Sequence, residues 1–170
     1  MKPDDVEEII IDPATFGRMM LEEEGYETMM LAQFSIPYVI SAMLHDRTPS
    51  ADWYSEENLK NPGVLALAKK IHGSDGEMQQ LMDSFAKFRA GTYPKKVVTI
   101  KTKDGNSYSQ EMDCHPGHPA NMMSREEFIE RFRLQTAGVL SEEKAEKAID
   151  VLCSIEEYDD LSLLGDLFTV

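Results

Sequence analysis

The amino-acid sequence predicts an α+β fold, with a small antiparallel sheet and packed helices over residues 1–120 and an all-helical tail over residues 121–170. Short runs of β-branched residues and the turn signal Asp104-Gly105 lie in the first part. In the second part, apolar residues recur at three- and four-residue steps, the spacing of a helix face. Such a change from strands to helices fits either one α+β domain or two units.

The first predicted strand is Val6–Asp12. Its sequence, VEEIIID, is short and rich in β-branched residues, and Pro13 closes it because a proline restricts the residue before it. The acidic, methionine-rich segment over residues 18–28 fits either a loop or an irregular helix, and the sequence leaves both open.

A mostly buried helix is predicted over residues 35–45, within the segment AQFSIPYVISAML. Ser35 is a suitable N-cap, and Pro37 falls in the first turn, where its missing N–H has no intrahelical partner to lose. Further helices are predicted to start at Ser55 and Asn61, and the apolar spacing predicts another over residues 78–88.

A β-hairpin is predicted around Asp104-Gly105, the strongest short-range turn signal in the chain. Val97–Thr102 and Ser107–Met112 would form its two strands. A type I′ turn needs a positive φ at both central residues, so Asp104 and Gly105 would both adopt that conformation.

The tail is predicted to hold three helices. Ser124 and Glu127 have the spacing of a capping box, in which each side chain bonds the backbone N–H of the other residue. Gly138 ends that helix, Ser141 opens the next, and Ser154–Glu157 repeats the capping-box pattern before a last helix. The side chains expected to form an apolar stripe are Phe128, Phe132, Ala145, Ile149, Leu152, Leu161, Leu164, Leu167 and Phe168.

The charge and composition of the chain exclude several classes of partner. A net charge of −14 argues against nucleic acid or an anionic membrane. There is no run of 18 apolar residues and no apolar leader behind Met1, so neither a membrane span nor secretion is expected. The two cysteines, Cys114 and Cys153, provide no disulfide framework, which favours a reducing, cytoplasmic location.

The segment Asp113–His118 is the strongest metal candidate in the sequence. Cys114, His115 and His118 offer at most three ligands, whereas a closed zinc site needs four. Adjacent side chains on an extended segment also point to opposite faces. We therefore expect no metal here, but a polar loop shaped by prolines and a glycine.

Tyr38 carries a phenol group in an otherwise apolar helix. A tyrosine with a buried hydroxyl normally needs a hydrogen-bond partner. Two interpretations are open: Tyr38 is a core residue bonded to the backbone, or it faces a cleft or an interface and belongs to a site.

Several segments together resemble the C-terminal half of the MmgE/PrpD family, named after 2-methylcitrate dehydratase. AQFSIPYVISAML is similar to a family signature, YPKKVVTIKTKDGNSYSQEM to its hairpin, and CHPGHPANMMSREEFIERFR to its loop and following helix. With MKPDDVEEIIID and AIDVLCSIEEYDDLSLLGDLF, these segments keep the family's order over nearly the whole chain. Met122 and Arg131 depart from the usual proline and lysine.

The resemblance implies a lid domain followed by helices that pack on an N-terminal helical domain. It implies a lyase or isomerase, such as a hydro-lyase or decarboxylase, that acts on citrate-like di- or tricarboxylates without an organic cofactor. By position, Tyr38 would be a catalytic residue lining the active site, and His118 would contact a substrate carboxylate. The family's acid–base His, Asp and Lys residues lie in or near the helical domain and have no counterpart here.

The expected partners follow from this resemblance. They are a small carboxylic acid as substrate, and either a second copy of the chain in a homo-oligomer such as a dimer, or a separate helical N-terminal chain. The isolated chain is expected to be inactive, because it lacks those acid–base residues. The alternative is a stand-alone, non-catalytic binding or dimerisation module that has kept the lid fold.

Overall fold

The computed structural model describes residues 1–13, 24–74, 77–92 and 95–169. These residues form two compact units, Met1–Asn121 and Met122–Val170. The first unit combines a sheet with helices, and the second contains helices only. The predicted α+β class is confirmed.

The first unit is built on a four-stranded sheet. Its strands are β1 (Val6–Asp12), β2 (Ile71–Gly73), β3 (Lys96–Thr102) and β4 (Ser107–Met112), in the order β2-β1-β3-β4. The pairs β1–β3 and β3–β4 are antiparallel, as predicted, but β2 pairs with β1 in parallel, so the sheet is mixed. The sequence did not predict β2, because three residues are too few to show an alternating pattern.

Five α-helices belong to the described part of the first unit: α1 (Met29–Gln33), α2 (Ile36–His45), α3 (Glu56–Leu59), α4 (Pro62–Ala68) and α5 (Glu77–Arg89). The predicted caps Ser35, Ser55 and Asn61 are confirmed, since each side chain accepts a backbone N–H from the first turn of its helix. Short 3-10 turns occupy Pro3–Asp5 and Ala51–Tyr54.

Parts of two predictions lie outside the described residues. Of the segment predicted as loop or irregular helix, residues 18–23 are not described, and the described remainder up to Thr28 precedes α1. The helix predicted over 78–88 is present as α5, but the side chains of Leu81 and Phe88, which were part of its apolar spacing, are also outside the description.

Two apolar clusters fill the first unit. One lies between the sheet and helices α2 and α4, and contains Val6, Ile9, Ile11, Leu67 and Ile71 with partly buried Ile36, Ile40, Leu44, Val98 and Ile100. The other is aromatic and surrounds the start of α2, with Tyr26, Tyr38 and Trp53 at its centre. The sheet therefore buries one face against helices.

The hairpin turn differs from the predicted type. Gly105 has a φ of +86°, whereas Asp104 does not have a positive φ. The Gly105 N–H donates to the Thr102 carbonyl at 2.9 Å, and the Thr102 N–H donates to the Asn106 carbonyl at 2.9 Å. This is the longer hairpin loop in which one residue is left-handed, so the type I′ prediction is wrong for Asp104.

The second unit contains α6 (Arg125–Thr136), α7 (Glu142–Cys153) and α8 (Ser162–Phe168), with a 3-10 turn at Ile155–Glu157. The capping box of Ser124 and Glu127 is confirmed, with both reciprocal hydrogen bonds. The second predicted box is wrong. The Ser154 hydroxyl donates to the Asp150 carbonyl at 2.8 Å, and its side chain makes no cap hydrogen bond to the following 3-10 turn.

The second unit has a small core of its own. Ala148, Val151 and Leu167 are buried, and partly buried Phe132, Leu163 and Leu164 pack against them. Leu152, predicted to point inward, is 38% exposed, and Val151 takes the inward position. None of the helices in the described ranges combines the length and the apolar content that crossing a bilayer requires.

Candidate functional site

Ser35 organises the start of α2. It is fully buried, and its hydroxyl oxygen accepts the Tyr38 backbone N–H at 3.2 Å, as an N-cap does. The same oxygen lies 2.7 Å from the Tyr26 hydroxyl. The cap is thus joined to the aromatic cluster, and Ser35 is held in place from two sides.

Tyr38 lies in the centre of the aromatic cluster. Its side chain is fully buried, and its hydroxyl donates to the Trp53 carbonyl at 2.5 Å. The Tyr26 ring meets it edge-on at 4.8 Å between centroids, and the Tyr54 ring stacks at 6.1 Å. The interpretation that Tyr38 faces a cleft is therefore wrong: the 3-10 turn that carries Trp53 and Tyr54 covers it.

The surroundings of Tyr38 also determine its protonation. Burial, with smaller contributions from Tyr54 and Tyr26, raises the pKa of Tyr38 to about 12. The hydroxyl is therefore a proton donor near neutral pH, and it donates to a backbone carbonyl. The alternative of a core tyrosine describes this geometry, while the catalytic role of Tyr38 stays a prediction.

Trp53 adds an unusual feature to the same cluster. Its carbonyl accepts a hydrogen bond from the Tyr38 hydroxyl. Its indole Nε1, however, is buried without a hydrogen-bond partner, and it is the only such side-chain nitrogen or oxygen in the described ranges. A buried N–H without a partner is destabilising. Nothing in the sequence singled out Trp53, because its position depends on the fold of a turn.

The loop after β4 holds the second predicted site residue, His118. The loop closes on itself, because the Gly117 N–H donates to the Asn121 carbonyl at 2.9 Å and the Asn121 N–H donates to the His118 carbonyl at 2.7 Å. Gly117 has a φ of +88°, which a residue with a side chain rarely adopts. The backbone that carries His118 is thus held by hydrogen bonds within the loop itself.

The hydrogen bonds of the loop assign the ring protons. The Ala120 N–H donates to Nδ1 of His118 at 3.0 Å, so a neutral His118 carries its proton on Nε2. Nδ1 of His115 faces the Pro116 carbonyl at 3.0 Å, so this nitrogen carries the proton in His115. The two rings meet edge to face with centroids 5.5 Å apart.

These assignments also bear on metal binding. Across the described ranges, no three His, Cys, Asp or Glu side chains converge as metal ligands would. A metal on Nε2 of His118 would require a neutral ring to carry its proton on Nδ1, where the Ala120 N–H already points. His118 is therefore built as an N–H donor, the group that a carboxylate accepts from.

The sequence interpretation missed a charged cluster on the face of the sheet away from the core. Glu8 of β1 lies between His72 of β2, at 3.0 Å, and Lys101 of β3, at 2.6 Å. Hydrogen bonds from Lys101 and then from His72 hold the pKa of Glu8 below its usual range. The alternation of side chains along β1 could have placed Glu8 on this face. The position of His72 could not be predicted, because the sequence did not predict the strand β2 that carries it.

Comparison with known proteins gives two kinds of match. The family model of the MmgE/PrpD C-terminal domain matches residues 1–157. The cis-aconitate decarboxylase of Homo sapiens is 29% identical over 136 residues, which are 80% of this chain and 27% of that protein. The cis-aconitate decarboxylase of Mus musculus is 26% identical over 136 residues, which are 80% of this chain and 26% of that protein.

The two kinds of match agree with the fold. The family model covers both units, from β1 to the turn before α8, and the chain spans about a quarter of the length of the curated relatives it matches. The chain therefore belongs to the MmgE/PrpD family, within its C-terminal domain.

Proposed function

We propose that this chain is the C-terminal part of a lyase that acts on citrate-like di- or tricarboxylic acids. The observation that carries the proposal is the family match over residues 1–157, together with relatives named cis-aconitate decarboxylase. The expected reaction is abstraction of a proton next to a carboxylate, with loss of water or CO₂ from the acid, or epimerisation of a related acid. Dehydration of a 2-methylcitrate-like acid, decarboxylation of a cis-aconitate-like acid and epimerisation all remain open.

In this proposal His118 donates from Nε2 to a substrate carboxylate. The support is the tautomer assigned above, since the Ala120 N–H occupies Nδ1 and leaves the ring proton on Nε2. The His118 side chain is only partly buried, so solutes reach the loop. A helical partner would supply the proton-transfer groups, since the buried hydroxyl of Tyr38 on α2 donates to a backbone carbonyl.

Two substitutions at His118 test the contact. In His118→Asn the side-chain amide lies near the Nδ1 position, so the bond from Ala120 is kept and the Nε2 donor is lost. In His118→Gln the amide reaches the Nε2 position, so a donor is kept. We expect citrate and cis-aconitate to shift NMR resonances of the loop, and His118→Asn to weaken binding about tenfold, the effect of one lost hydrogen bond to a charged group. His118→Gln should weaken it much less.

Acetate is the control ligand, because it has one carboxylate and no citrate-like skeleton. Equal shifts with acetate and citrate, or equal affinities for the two variants, would contradict the substrate contact. For the reaction itself, this chain can replace the matching 136-residue region of the human relative. Release of CO₂ from cis-aconitate by the folded chimera supports the lyase.

The non-catalytic alternative makes a different forecast. A binding or dimerisation module would associate through its exposed apolar side chains and would not bind di- and tricarboxylates. Exposed apolar groups are present on α1, where Met29, Met30, Leu31 and the adjoining Phe34 all face solvent in this chain. A folded chimera that is inactive, combined with no binding of any acid, would favour this alternative.

A further inference from the structure

The edge strand β2 is tied to β1 by side chains as well as by the backbone. Residues 70, 72 and 74 lie on one side of the strand, and each reaches across to β1. Lys70 Nζ donates to the Val6 carbonyl at 2.7 Å, His72 Nε2 meets Glu8 at 3.0 Å, and the Ser74 hydroxyl donates to Asp12 at 2.8 Å. These three side-chain contacts add to the few backbone hydrogen bonds that a strand of three residues can make.

Both ring nitrogens of His72 face hydrogen-bond acceptors. Nδ1 lies 2.9 Å from the Gly73 carbonyl, and Nε2 lies 3.0 Å from the Glu8 carboxylate. A carbonyl and an ionised carboxylate only accept, so both contacts are hydrogen bonds only when both nitrogens carry protons. Both ring nitrogens of His72 are thus engaged within the chain.

We propose that His72 is a pH-sensitive latch that holds the edge strand β2 against β1 while its imidazole ring is doubly protonated. When the ring loses one proton, one of its two hydrogen bonds is lost as well. Imidazole side chains commonly change charge between about pH 5 and 8. The latch therefore weakens as the pH rises through that range.

The other charged groups on this face come from three elements. Glu8 of β1 is shared with Lys101 of β3, Lys70 precedes β2, and Asp12 ends β1. Hydrogen bonds from Lys101 and His72 lower the pKa of Glu8, so Glu8 stays ionised in mildly acidic solution. In more acidic solution the latch is lost where the Glu8 carboxylate takes up a proton and no longer accepts.

Unfolding of the full chain at two pH values tests the latch. His72→Gln supplies a donor to Glu8 that does not titrate. We expect the melting temperature of this variant to lie about 2–4 °C below wild type at about pH 5.5, and much closer to it at about pH 8. The control is His45→Gln: Nδ1 of His45 donates to the Ser41 carbonyl at 2.8 Å, which a neutral ring also does.

A difference in melting temperature between His72→Gln and wild type that is equal at both pH values, or larger at the higher pH, would overturn the latch.

If the variant does not fold, amide hydrogen exchange of the wild-type chain provides the test. The Ile9 and Ser74 amides donate across the β1–β2 pair, and the Thr102 amide donates within the hairpin. After correction for intrinsic rates, protection of Ile9 and Ser74 should fall about threefold or more relative to Thr102 between those pH values. Parallel behaviour of all three amides rejects the proposal.

Discussion

At the scale of single residues, a substitution at Tyr38 distinguishes a structural role of this side chain from a catalytic one. Its hydroxyl bonds the Trp53 carbonyl inside the aromatic cluster. Tyr38→Phe leaves that carbonyl without its partner, so we expect the free energy of unfolding to fall by about 1–3 kcal/mol. Tyr108→Phe is the control, because Tyr108 is 54% exposed. Chemical denaturation measures both. An unchanged stability for Tyr38→Phe, with loss of turnover in the active chimera, would support the catalytic role.

The raised pKa of Tyr38 predicts a loss of stability at alkaline pH. Tyrosine in an unfolded chain ionises near pH 10, whereas the pKa of Tyr38 in the fold is about 12. Between these values the unfolded state releases a proton that the folded state keeps, so unfolding becomes more favourable as the pH rises. The loss amounts to roughly 2 kcal/mol at pH 12 and levels off above that pH. Denaturation at a series of pH values measures it, and this part of the loss should be absent from Tyr38→Phe.

At the scale of elements, the two serines with a capping-box pattern predict different outcomes. Ser124 caps α6 through the Glu127 N–H, whereas Ser154 bonds back to Asp150. Ser124→Ala should lower the free energy of unfolding by about 1 kcal/mol, the usual value of an N-cap. Ser154→Ala, the matched control, should lower it by less than about 0.5 kcal/mol. Equal losses in denaturation experiments would mean that the second box forms in solution.

Two glycines offer a second contrast between elements. Gly105 has a φ of +86° in the hairpin turn, whereas Gly165 lies inside α8 without a positive φ. Gly105→Ala should destabilise by about 1–2 kcal/mol, because a left-handed alanine is strained. Gly165→Ala should stabilise by up to about 1 kcal/mol, because a Cβ there meets nothing within 4 Å and alanine favours helices. Thermal unfolding of both variants shows whether each substitution lowers or raises the stability. A change in the same direction for both variants would contradict the turn geometry.

The success of the sequence prediction depended on how local each determinant is. The caps at Ser35, Asn61 and Ser124 were predictable because each acts within its own first turn. The strand β2 depends on β1, which lies some sixty residues earlier, and its own three residues have no pattern. Tyr38 was identified as needing a partner, but that partner is a carbonyl 15 residues away in a 3-10 turn without a sequence signature.

At the scale of the whole molecule, we expect the chain to associate with itself. The second unit leaves large apolar side chains exposed, including Phe128 at 61%. Exposed apolar surface of this kind marks interaction sites when it is contiguous, and a two-fold dimer is the simplest closed solution. The solution mass at micromolar concentration should therefore exceed 19.2 kDa. Phe128→Gln should lower it, and Glu126→Gln on the same helix should not. A monomer with slowly exchanging tail amides would contradict this expectation.

The position of β1 in the sheet has a consequence for synthesis of the chain. β1 lies between β2 and β3, yet it is made first, and its ion pair between Glu8 and Lys101 joins residues 93 positions apart. At ordinary rates of translation, the segment VEEIIID is synthesised roughly 5–20 s before β3. An unpaired β-branched strand is prone to aggregate, and charged residues beside it oppose aggregation. We therefore expect Glu7 and Glu8 to oppose aggregation of the nascent strand before Glu8 meets its partners in the sheet.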